Sequence, residues 1–346
     1  MKLPDIKDLT PDELASWLSG HGHPRYRLDQ IYRWIYQRQA DSFEVMTDLG
    51  KTLREELAAS FTIRRHETLC METSRDGTRK FLFQMVDGAR IESVLIPEKD
   101  HDTLCISSQV GCAQGCRFCM TGRGGLARNL TAAEIVSQVR DVKCAVTGDL
   151  RLTNIVVMGM GEPLANYDNM LAALNVLTDV DTGLGFSGRH ITLSTAGVVP
   201  RLADLGRDTN INLAVSLNAT DNPTRSRLMP INRAYPMETL LAACARYPLA
   251  PRRRITFEYI LMAGINDSPD DARRLARLLR PIRSKINLIP FNPHEGSEFH
   301  RPAPPVIERF RQILVDKGYT VITRHSKGQD ISAACGQLEA KIAEQF

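Results

Sequence analysis

Between residues 11 and 60 apolar positions recur at helical spacing. In YRLDQIYRWIYQRQA the stripe is Leu28, Ile31, Trp34 and Ile35. PDELASWLSG opens on proline and acids and stops at a glycine, and TDLGKTLREELAASF supplies a further helix. The texture then changes. In ETLCMETSRDGTRKFLFQMVDGARIESVLIP, Asp76-Gly77 and Asp87-Gly88 separate β-rich runs, which predicts three short strands joined by two hairpin turns. From residue 101 β-rich runs alternate with helical patterns. The runs are TLCISSQV, NIVVMGM, HITLSTAG, INLAVSLNA, ITFEYILMAGI and KINLIPFNP, and PVIERFRQILVDKGY follows the last of them. Six β/α units in a row imply a parallel sheet with helices packed outside it. Periodicity leaves an open doubly wound sheet and an incomplete barrel equally available. In either, chemistry belongs at the C-terminal ends of the strands. The expected division is a helical accessory domain at 1–65, a β extension at 66–100 and a core at 101–346.

Composition narrows this little. The chain has 346 residues, 43% apolar and 24% charged, with a net charge of +4. That is globular and mildly basic, which permits a nucleic-acid partner without requiring one. The short basic runs Arg64-Arg65, Arg252-Arg253-Arg254 and Arg273-Arg274 read as solvated faces. No stretch approaches the roughly 20 apolar residues of a membrane span, and the first residues lack the apolar core of a secretory signal. The expectation is a cytoplasmic protein whose eight cysteines are reduced, so clustered thiols read as metal ligands or catalysts.

Three of those thiols, Cys112, Cys116 and Cys119, follow the first strand of the alternating region at C-x3-C-x2-C, interleaved with Gly111 and Gly115. Three thiolates in one tight loop suit three irons of a 4Fe-4S cube and leave the fourth free. An open coordination position marks a reactive rather than a structural site. A structural zinc would want a fourth Cys or His; Cys105 is available, but it lies in the preceding strand.

C-x3-C-x2-C after the first strand of a β/α array resembles radical S-adenosylmethionine enzymes, and the resemblance implies an incomplete (β/α)6 barrel. LCISSQVGCAQGCRFCMTG, GMGEPLANYDN, HITLSTAG, AVSLNAT, LIPFNPH and DISAACGQL, in that order, are similar to the RlmN family of RNA adenine carbon-2 methyltransferases, over nearly the whole chain. That resemblance implies a 4Fe-4S cluster on Cys112, Cys116 and Cys119 and two S-adenosylmethionine molecules per turnover. Cys335 would accept a methyl group from the first. The radical made from the second would take a hydrogen from that methyl, and the carbon radical would add to adenine carbon 2. Cys105 would then attack the Cys335 sulfur, releasing RNA and leaving a disulfide. Glu92 matches the proton acceptor, and Gly161, Glu162, Ser194, Ser216, Leu217, Asn218 and Asn292 match S-adenosylmethionine contacts. Polar attack at carbon 2 is a poor route because that ring carbon is electron-poor, so a protein-bound carbon that captures the base covalently meets a physical need. Met120 and Asn218 depart from the residues usual at their positions.

Cys335 by itself is a lone cysteine in helix-like ISAACGQLEAKIAEQF, though Arg324, His325 and Lys327 stand nearby in sequence and an adjacent cation favours the thiolate. Cys70, Cys144 and Cys244 read as packing thiols. The implied partners are 23S rRNA, tRNA and an electron donor such as flavodoxin with its reductase. Arg25, Arg27, Arg33 and Arg38 are the candidates for phosphate contact, while Ile31, Trp34 and Ile35 read as core. Two rivals stand beside this reading. Cfr-type relatives methylate carbon 8, but often carry a second cysteine where this chain has Val110. The other rival is an iron-sulfur or zinc protein that binds RNA without chemistry, which would need neither Cys105 nor Cys335.

Overall fold

The computed structural model describes residues 3–146, 151–324 and 326–340. Helices α1 (Pro11–Gly20), α2 (Arg27–Tyr32) and α3 (Lys51–Ser60) form the N-terminal unit, with a π-helical stretch at Arg33–Gln37 extending α2. A capping box between Thr10 and Glu13 starts α1 with Pro11 in its first turn. Leu14, Leu18, Ile31 and Ile35 are fully buried. Trp34 is only partly buried: it donates to Asp48 Oδ1 at 2.5 Å, and the Arg38 guanidinium lies 4.1 Å from its ring centroid.

Strands β1 (Glu67–Thr73), β2 (Arg79–Gln84) and β3 (Arg90–Pro97) form an antiparallel meander, turning at the two Asp-Gly pairs. β3 pairs antiparallel with β4 (Asp102–Ile106). A small hairpin, β5 (Gln109–Gly111) with β6 (Leu126–Asn129), brackets the helical turn α4 (Met120–Arg123). Then come α5 (Ala132–Ala145), β7 (Leu152–Val157), α6 (Tyr167–Thr178), β8 (Ile191–Thr195), α7 (Leu202–Asp208), β9 (Asn212–Ser216), α8 (Asn222–Leu228) and α9 (Met237–Arg246). The chain continues through β10 (Ile255–Leu261), α10 (Pro269–Leu279), β11 (Ser284–Pro290), α11 (Pro304–Asp316) and β12 (Val321–Thr323).

Ten strands make one sheet in the order β1-β2-β3-β4-β7-β8-β9-β10-β11-β12. From β4 onward every pairing is parallel and sequential. A doubly wound sheet reverses its strand order at a switch point. Sequential order with right-handed crossovers keeps the helices on one face and curls the sheet into a barrel, here left open between β12 and the meander. β12, the β5–β6 hairpin and α8 are additions to the six expected units. They are too short to show a period in sequence.

The helical unit is fastened to α5 by buried charge. The Arg140 guanidinium, fully buried, donates to the Ala40 carbonyl at 2.9 Å, and Arg65 bridges Asp41 and Asp141 at 2.8 and 3.1 Å. Among the described residues no helix is long and apolar enough to cross a membrane.

Two expectations need correction. The segment around Cys335 is not helical over its described part. A short turn at Gln329–Ile331 is flanked by left-handed Gly328 and Ser332, with Gly336 left-handed beyond it. Those conformations end a helix, and the segment lies instead as an irregular tail. Cys144 does not pack either: it is exposed in the last turn of α5, whereas Cys244 is buried and Cys70 half-buried.

Candidate active site

The three-cysteine loop is built by close backbone approach. Gly111 has φ +76°, and a Cβ there would sit 2.0 Å from the Gly125 carbonyl oxygen. Cys112 N donates to that same oxygen at 2.8 Å. Arg117 N donates to Leu228 O at 3.0 Å, tying the loop to the end of α8, and Cys119 N donates to Cys116 O at 3.1 Å. Burial pushes the Cys112 thiol up to about 11, and Cys116 and Cys119 are raised by burial and by their neighbouring thiols. Partly buried, mutually repelling sulfurs resist ionisation unless a metal takes them as thiolates. All three line one open cavity of about 850 Å³ at the mouth of the barrel. Among the described residues no three His, Cys, Asp or Glu side chains converge closely enough to share one metal ion. An all-sulfur triad spread around a cavity suits a polynuclear cluster better than zinc.

The opposite wall comes from strand ends. Gly161 has φ +103°, and a Cβ would lie 2.6 Å from that of Gln109, so only glycine lets this turn close on the hairpin. Glu162 is 2% exposed; it accepts from Leu164 N at 3.0 Å and Ala196 N at 2.6 Å. Burial pushes its carboxyl up to about 7 against those hydrogen bonds. Ser194 and Ser216 line the same wall. Leu217, Asn218 and Asn292 do not line it. Leu217 is fully buried; Asn218, with φ +58°, uses its side chain to accept from Ile260 N at 2.8 Å and to donate to Met229 Sδ. Asn292 donates to the Cys335 carbonyl at 3.2 Å and leaves its own Oδ1 unpartnered.

Cys335 is exposed and lines the cavity beside Cys119. A second compartment, sharing Cys119, Arg324 and Cys335 with the first, contains Cys105. Cys105 lies on β4, is 8% exposed, and is pushed up to about 12 by burial, with Cys335 adding to the shift and Arg324 opposing it. Arg324 faces both compartments. Lys327 turns away, donating to Pro97 O and pairing with Glu98 at 3.4 Å, and His325 lies outside the described residues.

The tail closes over this assembly. Met120 N donates to Gly336 O at 2.8 Å and Thr121 Oγ1 to Leu338 O at 2.6 Å. Glu92, on β3 and 2% exposed, lies under the tail. Its Oε2 accepts from Glu339 N and Ala340 N at 2.9 and 3.1 Å, and its Oε1 is 3.3 Å from Lys80 Nζ. Met120 lines the same crevice.

Sequence reasoning passed over Glu258, which lies in the cavity wall with Oε2 unpartnered and its carboxyl raised by burial. The signal was a lone acid inside the apolar strand ITFEYIL, since a buried charge needs a reason.

Comparison with known proteins supplies the family. Residues 106–279 match the model described as "Radical SAM superfamily", and residues 4–63 match "Ribosomal RNA large subunit methyltransferase N-terminal domain". A "Dual-specificity RNA methyltransferase RlmN" of Desulfosudis oleivorans is 59% identical, covering 98% of this chain and 91% of the relative. The protein of that name from Geobacter sulfurreducens is 58% identical over 98% and 92%. The crystal structure of a radical SAM methyltransferase from Sphaerobacter thermophilus superposes with a TM-score of 0.91 at 46% identity, covering 98% of this chain and all of that one. An array of three cysteines at the mouth of an open parallel barrel, faced by a fourth on the tail and a fifth on the first parallel strand, thus has full-length relatives, and the chain belongs to the RlmN family of radical SAM RNA methyltransferases.

Proposed function

We propose that this enzyme methylates carbon 2 of an adenosine in 23S rRNA and of an adenosine beside the anticodon in some tRNAs, through S-methylcysteine and a transient protein–RNA adduct. The observation that carries the reading is the sharing of compartments. The loop thiols, the exposed Cys335 and the buried Cys105 adjoin through Arg324. Cys112, Cys116 and Cys119 would hold the cluster, which with S-adenosylmethionine bound would supply a methyl donor and one-electron chemistry for hydrogen abstraction. Two molecules serve each turnover.

The chain's own residues do the rest. Gly161, Glu162, Ser194 and Ser216 present hydrogen-bonding groups to S-adenosylmethionine, with Glu162 suited to an ammonium; Leu217 and Asn218 support that wall from behind, and Asn292 holds the tail at the Cys335 carbonyl. Cys335 accepts the methyl group and carries it to the base, a task that suits a thiol on a tail rather than in a packed strand. Cys105 is stored neutral by burial, and Arg324 favours its thiolate when it attacks the Cys335 sulfur. The new S–S bond forms as the bond from Cys335 to carbon breaks; that carbon keeps the electron pair and takes up a proton to become the methyl group, so RNA leaves and the disulfide awaits a two-electron reduction. Glu92 accepts the carbon-2 proton once the tail amides of Glu339 and Ala340 release its Oε2. The base reaches this depth only when flipped from its stack. Arg25, Arg27, Arg33 and Arg38, on the helical unit, supply phosphate contacts. The enzyme works in the cytoplasm with a low-potential donor such as flavodoxin and its reductase.

The test is anaerobic reconstitution, followed by incubation with 23S rRNA fragments and with tRNA separately. Nucleoside mass spectrometry should find 2-methyladenosine in both; 8-methyladenosine, or no methyladenosine in either, defeats the reading.

A further inference from the structure

Among the described residues two arginines are completely buried, and they are treated oppositely. Arg140 lies among carboxylates, with Asp41 at 3.4 Å and Asp141 acting on it. Arg225, on α8, has neutral partners throughout. Its Nε donates to Leu217 O at 3.1 Å, its Nη1 to Asn232 Oδ1 at 3.0 Å, and its Nη2 to Ala196 O and Ser216 O at 2.8 and 3.2 Å. The ionisable groups that act on it are the thiols of Cys116 and Cys244. The end of its helix is bonded to the loop through Arg117 N and Leu228 O. A buried guanidinium without a carboxylate is costly, and gathering carbonyls at strand ends does not require a charge. Cys116, as a metal-bound thiolate, would be the missing anion.

We propose that Arg225 is an electrostatic positioning residue of the cluster site: a buried cation without a carboxylate partner, bonded to the Ala196 and Ser216 carbonyls of the cavity that Cys116 also lines, that favours the reduced form of the cluster and so raises its midpoint potential. The inference rests on the reading that Cys112, Cys116 and Cys119 hold that cluster. Reduction adds one electron, taken from a low-potential donor, and makes the site one unit more negative. A fixed cation in a dry setting stabilises that form preferentially.

The test is potentiometric titration of anaerobically reconstituted protein with dithionite and mediators, followed by electron paramagnetic resonance. Arg225→Met removes the charge, and Arg225→Lys keeps it. Asn232→Asp keeps the arginine and its bonds to Ala196, Ser216 and Leu217 but sets a carboxylate against Nη1. The Met and Asp variants should be less than half reduced at the potential that half-reduces the wild type, with the Lys variant close to wild type. A mechanical staple would instead lower the melting temperature of both Arg225 variants and leave the midpoint unmoved. If Arg225→Met does not fold, Asn232→Asp decides: a cluster-loaded Asn232→Asp protein with the wild-type midpoint overturns the inference. A wild type that forms no iron-sulfur chromophore takes down the cluster reading itself, and the inference with it.

Discussion

The three-cysteine loop and the C-terminal tail meet over the barrel mouth and both carry cysteine, yet they are built on opposite plans. The loop is held by backbone: a two-strand hairpin, a glycine contact that leaves no room for Cβ, and an amide bond to α8. Its thiols are partly buried. Much of the tail's fastening is side chain to backbone. Asp76 Oδ2 accepts from Gly328 N at 2.8 Å, Gln337 donates to Pro293 O at 2.9 Å, and Glu92 holds two further amides. Its thiol is exposed. A rigid loop suits a group that must stay; a tail pinned by separable polar bonds suits a thiol that must travel. Separate side-chain bonds of this kind can open one at a time, whereas a packed loop opens only with its domain.

The largest effect should come from Cys116→Ala. It is expected to abolish cluster assembly, measured as bound iron and sulfide, and to reduce 5'-deoxyadenosine release to background. Tail variants should behave differently. Cys335→Ala keeps the wild-type iron content yet gains no protein-bound methyl and makes no methyladenosine. Cys105→Ala should acquire the methyl and then accumulate a protein–RNA adduct, seen as a shifted band on a denaturing gel. Loss of iron in either would erase the distinction between holder and carrier. Next in size is Gly111→Ala. Its left-handed φ and the clash with Gly125 O should cost at least the roughly 1–3 kcal/mol of a strained residue, read as a lower melting temperature and weaker cluster retention. Gly328→Ala, on the tail, meets only side-chain carbons, the nearest at 2.8 Å, and should cost less.

The smallest effect concerns pH. Burial would raise the Asp76 carboxyl, but hydrogen bonds from Thr78, Gly328 and Ser74 outweigh it and hold the group at about 2. Its folded value lies below its ordinary value, so its contribution is present above about pH 4 and is lost as pH falls toward 2. Pepsin cleavage within residues 326–340 should therefore rise across that window. Asp76→Asn should already be cleaved faster above it, by a few-fold, and show a flatter profile. Equal pH dependence in the two proteins would remove Asp76 as the fastening.

Legibility followed the range of the interaction. The six β/α units, the meander and its two Asp-Gly turns were visible because period and turn chemistry are local. So was the C-x3-C-x2-C loop, whose three thiols lie within eight consecutive residues. The tail misled because alanines around Cys335 look helical, while Gly328, Ser332 and Gly336 turn left-handed in a chain laid against other elements. Glu258 and Arg225 were overlooked because neither belongs to a local motif.

By itself, then, the sequence determined the parallel β/α order, the three-thiol loop and, through resemblance, the family, since each is written in spacing along the chain. Only the tertiary structure decided that Cys105 and Cys335 adjoin the same arginine, that the tail covers Glu92, and that a buried cation is bonded behind the cavity that Cys116 lines. Those facts join residues more than a hundred positions apart, and contact at such range is made by strand order and packing, which no local pattern encodes.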